Sequence, residues 1–124
     1  MKFTIAKNHR YWWPITVRMP DPDNAGEIVE QKLLVQFEPL PRDELVAAQE
    51  RATELKTLRE IVAHETAQAV RVVRNWEGVI DDAGDPVPFT ADLLVQSLQQ
   101  SWFRKAINDA LTASMNGEAA ASGN

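Results

Sequence analysis

The sequence predicts an α+β fold, with an N-terminal antiparallel β-hairpin or small sheet packed against a mainly helical C-terminal half. Three observations predict it. Two stretches between Tyr11 and Phe37 place apolar residues at every second position, turn-forming residues separate them, and beyond Pro41 the apolar spacing changes to that of a helix.

From Tyr11 to Met19 the alternation puts Trp13, Ile15, Val17 and Met19 on one face, as a half-buried strand requires. Pro14 lacks a backbone N–H, which places this strand at a sheet edge or a bulge. From Ile28 to Phe37 the residues Val29, Leu33, Val35 and Phe37 again share a face, with Gln31 the exception. The intervening Pro20–Glu27 contains Asp-Pro-Asp-Asn-Ala-Gly, so the two strands form a long-looped hairpin. Phe3 and Ile5 are candidates for a third, short strand.

Pro39 and Pro41 close the second strand. Residues 42–65 then carry Leu45, Ala48, Ala52, Leu55, Leu58 and Val62 at helical spacing, with Asp43 and Glu44 near the positive end of the helix dipole. The period runs on through Ala69, Val70 and Val73, so helix is expected as far as Asn75, either straight or bent near His64. Gly78 is expected to stop that helix. Residues 79–89 predict a tiny hairpin turning at Asp82-Ala83-Gly84. Thr90 is an N-cap candidate for a helix over 91–99, and Ser101 for a last helix over 102–115 that buries Phe103, Ala106, Ile107, Ala110 and Leu111 and ends at Gly117. Residues 1–117 thus form a single domain, and small polar residues make 118–124 a flexible tail.

Composition narrows the function. Apolar residues make up 44% and charged residues 25%, which is globular rather than disordered usage. Without cysteine there is no disulfide, thiolate metal site or thiol nucleophile. No apolar run reaches signal-peptide length or the roughly twenty residues of a membrane span, so a cytoplasmic protein is expected. The net charge of −5 repels nucleic acid unless positive charge is concentrated. Lys2, Lys7, Arg10 and Arg18 are such a concentration, with no acid in the first twenty residues, leaving −9 on the remainder.

Few residues point to catalysis or metal chemistry. Asp21, Asp23 and Gly26 imitate the start of a calcium loop, but Ala25 and Lys32 stand where ligands belong, so a turn is the better reading. Asp81, Asp82 and Asp85 form a similar cluster with Pro86 at the glycine position. His9 and His64 lie in no metal-binding spacing, and no Gly-x-Ser-x-Gly elbow or phosphate loop is present. The expectation is a protein that is not an enzyme and holds no cofactor or metal.

The run His9-Arg10-Tyr11-Trp12-Trp13 has three readings: core plus a cover for the sheet edge, a protein interface, or a nucleic-acid surface. In a strand, Trp12 and Trp13 point to opposite faces. Trp13 belongs with Ile15, so Trp12 faces outward beside Arg10, Pro14, Thr16 and Arg18. Arg10, Tyr11, Trp12 and Arg18 are the candidate partner-binding residues.

The segment Val72–Thr90, read as Val-Val-Arg-Asn-Trp-Glu-Gly-Val-Ile-Asp-Asp-Ala-Gly-Asp-Pro-Val-Pro-Phe-Thr, resembles the tail assembly chaperones of long-tailed bacteriophages and prophages. In that family a helix ends in a Trp-x-Gly-Val unit. An acidic glycine turn, a Pro-Val-Pro-Phe-like strand and a capped helix leading to a last helix then follow. The match runs from about Val72 to Leu111. Trp76, Gly78, Gly84, Pro86 and Phe89 carry it as a structural motif, since a hairpin folding Val79, Val87 and Phe89 back toward Trp76 is a packing device.

The resemblance implies a protein that coats or solubilises the tape measure protein, a long helical protein that sets tail length, and helps deliver tail tube protein. It implies residence in the cytoplasm of the bacterial host and absence from the mature virion. In many such phages a frameshift near the stop codon makes a longer form, which a loose C-terminal tail would suit. A homo-oligomer is compatible with it. The alternatives are a structural or adaptor protein of the phage particle and a small nucleic-acid-binding regulator, the latter motivated only by the basic aromatic stretch.

Overall fold

A computed structural model describes residues 1–5, 7 and 9–120 of the chain. Its first elements are strands β1 (Tyr11–Pro20) and β2 (Ile28–Phe37), paired antiparallel over their whole length from Tyr11↔Phe37 to Pro20↔Ile28. This is the expected hairpin. Its loop is held by Asp21, whose carboxylate accepts from the Asp23 N–H at 2.9 Å and the Asn24 side chain at 3.0 Å. Those bonds, the Asn24 amide foremost, hold the Asp21 carboxyl below its ordinary pKa. The calcium-like spacing is therefore a hydrogen-bonded turn, closed at Gly26 with φ +80°.

The third strand is not the N-terminal one. Phe3 and Ile5 stay exposed outside the sheet, and the third strand is β3 (Val73–Glu77), giving the order β1-β2-β3 with β2 central. The expectation of helix through Asn75 is thus corrected. Val72 and Val73 are β-branched, and the edge of β2 offers Val73 and Trp76 partners in Phe37 and Val35. The Glu38 N–H donates to the Val72 carbonyl at 2.8 Å, extending the ladder to the helix end. Gly78 accordingly ends a strand, at φ +85°, and does not stop a helix.

Between β2 and β3 the expected long helix is two: α1 (Arg42–Ala52) and α2 (Leu58–Val72). The break falls at residues 53–57, upstream of His64. Thr57 caps α2, its hydroxyl accepting from the Glu60 N–H at 3.1 Å, while the Glu60 carboxylate reaches back to the Lys56 N–H at 3.4 Å. That is a variant of the capping box, which satisfies N–H groups that a helix start leaves free. Leu58, expected on the buried stripe, is 76% exposed as a result.

Residues 79–89 form the expected tiny hairpin in its smallest form: a single antiparallel bridge, Ile80↔Pro86, flanked by bonds from the Asp81 N–H to the Asp85 carbonyl at 3.0 Å and from the Val87 N–H to the Val79 carbonyl at 2.8 Å. Asp81 organises the turn: its carboxylate accepts from the N–H groups of Ala83 and Asp85 at 2.9 and 3.0 Å, and its carbonyl from Gly84 at 2.9 Å. Thr90 caps α3 (Ala91–Ser97) by accepting from the Leu93 N–H at 3.1 Å, as expected. The last helix, α4 (Ser101–Met115), begins one residue early. Gln100 holds the N-cap position and makes no side-chain cap bond, so Ser101 is not the cap. Gly117 does terminate α4: with φ +73°, it donates to Ser114, and Glu118 donates to Ala113, the paired bonds of a Schellman end. Of the tail expected at 118–124, residues 121–124 lie outside the described residues.

The core lies between one face of the sheet and the helices. Ile15, Val35, Phe37, Val73, Leu94 and Ile107 are almost wholly buried there, joined by Val17, Val72, Trp76 and Leu98. The helix α4 lies along β1 on this side. Only Ala48 of α1 is buried, and it stands apart from the main cluster. An α+β architecture is the result.

Candidate partner-binding face

Alternation along β1 sorts its side chains between two faces. Trp13, Ile15, Val17 and Met19 turn toward the helices, and Trp12, Pro14, Thr16 and Arg18 turn away. On β2 the outward partners are Gln36, Leu34, Lys32 and Glu30, directly opposite those four in turn. The outer face therefore has an apolar patch of Trp12 and Leu34, each 38% exposed, with Pro14 opposite Leu34; Ile28, 53% exposed, lies on the same face beyond Lys32 and Glu30. Glu77 and Asn75 of β3 lie opposite Leu34 and Gln36 and complete one border.

Charge rings this patch in pairs. The Arg10 guanidinium meets Glu38 at 2.9 Å, Arg74 approaches the same carboxylate at 3.9 Å, and Arg18 faces Glu30 at 4.0 Å. These pairs are solvated, so each contributes little to stability, at most about 1 kcal/mol. Their effect is electrostatic: acid from β2 and from the segment after it meets the basic N-terminal run, leaving alternating signs around an aromatic centre. Such a pattern suits a protein partner better than a polyanion.

Of the four expected binding residues, three share this exposed side. Tyr11 does not. Its ring packs on the inner face, edge-on to Trp13 and Phe37 with centroids 6.1 Å away in both cases, and its hydroxyl bonds the Ser114 Oγ at 2.7 Å. Tyr11 anchors α4 to the sheet.

The motif residues are brought together as a packing unit. The Trp76 indole is 5% exposed, donates to the Val87 carbonyl at 2.8 Å, and meets Phe89 edge-on at 5.2 Å between centroids. Gly78, Gly84 and Pro86 shape the loop that returns Val87 to it.

Two surface features had no counterpart in the sequence reading. A groove of about 470 Å³ runs between the β1 edge and α4, with Arg18 and Thr16 on one wall and Trp102, Lys105 and Asp109 on the other. Its bulky wall, Trp102, is fixed by a 2.7 Å bond from the indole to Gln100. A second groove, of about 340 Å³, lies among α1, α2 and α4 and is mostly apolar. The helix break at 53–57 separates α1 from α2 and so makes the second groove possible; the Thr57-x-x-Glu60 spacing was its sequence signal.

Among the described residues no three His, Asp or Glu side chains gather as a metal-binding group, and no helix is long and apolar enough to cross a membrane. No family model, curated protein or solved structure matches the chain.

Proposed function

We propose that the chain is a tail assembly chaperone of a long-tailed bacteriophage or prophage, a non-enzymatic protein of the bacterial cytoplasm that holds tape measure protein, tail tube protein or both while the tail is built. The observation that carries this reading is the outer face of the sheet: an exposed Trp12 beside Leu34, ringed by alternating charges. A tryptophan with arginines around it is the residue pattern of an interface anchor and its polar rim. The class comes from the resemblance of Val72–Leu111 to that family. Support for treating the segment as one unit is the closure of Trp76 onto Val87 and Phe89.

The physical task is mass action. A chaperone that binds exposed apolar surface lowers the free concentration available to aggregate. Co-expression with the tape measure protein encoded beside it tests the reading: the partner should become soluble and co-purify, and Trp12→Asp should abolish both effects. A partner that stays insoluble with the wild-type chain, or a chain found stoichiometrically in purified virions, would replace this reading with that of a particle component.

A further inference from the structure

Two apolar features of the chain match each other and are not joined within it. The first is an arm ahead of β1, in which Met1, Phe3 and Ile5 alternate with Lys2 and Thr4; Phe3 and Ile5 are 91% and 89% exposed. Extended, this spacing turns all three apolar side chains to one side. The second is the groove among α1, α2 and α4, walled by Leu45, Ala48, Ala69, Val72, Ile107 and Leu111.

Charge favours their union. The arm carries Lys2 and Lys7 and no acid, whereas the groove lining contains Glu65 and no Lys or Arg. Position favours it as well. The arm is rooted at the groove's end of the molecule: Tyr11 bonds the Ser114 Oγ, which donates at 2.9 Å to the carbonyl of groove residue Leu111. Arg10 is tied to Glu38, two residues before Leu40 of the same groove. The seven steps of chain from Phe3 to Arg10 reach at most about 25 Å when extended. In the single chain, however, Phe3 and Ile5 lie outside the groove that their own chain provides.

We infer that two copies exchange arms, Phe3 and Ile5 of each entering the α1–α2–α4 groove of the other. Exchange about a two-fold axis makes the same contact twice and closes the assembly, so it yields a dimer and not a filament. The inference stands apart from the tail assembly reading, which uses the opposite face of the sheet.

The chain has no cysteine, which permits a clean test. Phe3→Cys and Gln49→Cys proteins, the second altered at the groove, are mixed and oxidised, with Asp82→Cys in the 79–89 turn as the control partner. A disulfide-linked pair of Phe3→Cys with Gln49→Cys, well above the yield with Asp82→Cys, is expected. Sedimentation of the wild type should give a two-chain mass at micromolar concentration. Phe3→Asp should weaken that dimer roughly tenfold or more with no change in melting temperature, because Phe3 is exposed in the single chain. Equal yields with the two partners, a single-chain mass for the wild type, or a Phe3→Cys/Gln49→Cys double variant that links only within one chain would each overturn the proposal.

Discussion

The indole N–H of Trp76 donates to the Val87 carbonyl oxygen at 2.8 Å, joining the last strand to the far side of a turn eleven residues away. That one bond ties the sheet to the loop that leads into α3. Trp76 also sits opposite Val35 on the central strand and edge-on to Phe89, so its ring belongs to the sheet, the core and the loop together.

Truncating Trp76 should therefore destabilise the whole fold. Trp76→Ala is expected to lose about 3–5 kcal/mol, the usual effect of deleting a buried large aromatic. Trp76→Phe should lose less, since it keeps most of the packing while leaving the Val87 carbonyl without its donor. Denaturant unfolding monitored by circular dichroism checks both, and equal losses in the two variants would show that the hydrogen bond outweighs the packing.

Thr57 gives a second prediction. Its hydroxyl accepts from the Glu60 N–H at the start of α2, so Thr57→Ala should reduce stability by about 1 kcal/mol, whereas Thr57→Ser, which keeps the acceptor, should stay near wild type. Thermal unfolding of the pair decides whether the helix break rests on this cap. If both variants melt together, it rests on packing instead.

Parts of this architecture were legible in the sequence for identifiable reasons. The hairpin could be read to its ends because alternation specifies a face and Pro20–Glu27 specifies where it stops. The helix break was hidden because Leu55 and Leu58 continue the apolar stripe of α1 across it, while the overriding signal was the local Thr57-x-x-Glu60 spacing. The strand β3 was hidden because Val73–Glu77 is short and acquires its form by pairing with β2, a partner distant in sequence. Phe3 and Ile5 alternate like a strand yet pair with nothing in the sheet. At the candidate site, parity alone sent Trp12 outward. The inward role of Tyr11 depended on Ser114, 103 residues downstream, where α4 docks.

That long-range contact predicts a specific loss. Tyr11→Phe keeps the ring against Trp13 and Phe37 but removes the hydroxyl bonded to Ser114, and should reduce stability by about 0.5–1.5 kcal/mol. Partner binding should be unchanged, because Tyr11 faces the core. Hydrogen exchange should locate the effect at α4. A Tyr11→Phe protein of full stability with impaired partner binding would place the Tyr11 hydroxyl in the interface.

Trp12 should behave in the opposite way. It stands outward across from Gln36 with 38% of its surface exposed, against 5% for Trp76. Its register partner on β2 is Gln36, with Leu34 diagonal to it, and there is no indole hydrogen bond to lose among the described residues. Trp12→Ala should therefore cost well under half of what Trp76→Ala costs in stability. Its effect on association should be large, about 2 kcal/mol or roughly a thirtyfold weaker complex, because an interface tryptophan is desolvated only when the partner arrives. Binding of the wild type and of Trp12→Ala to a purified tape measure or tail tube fragment, measured by calorimetry beside thermal unfolding of each protein, separates the two effects. A Trp12→Ala protein that binds like the wild type while melting far below it would make Trp12 a cover for the sheet and move the partner surface elsewhere.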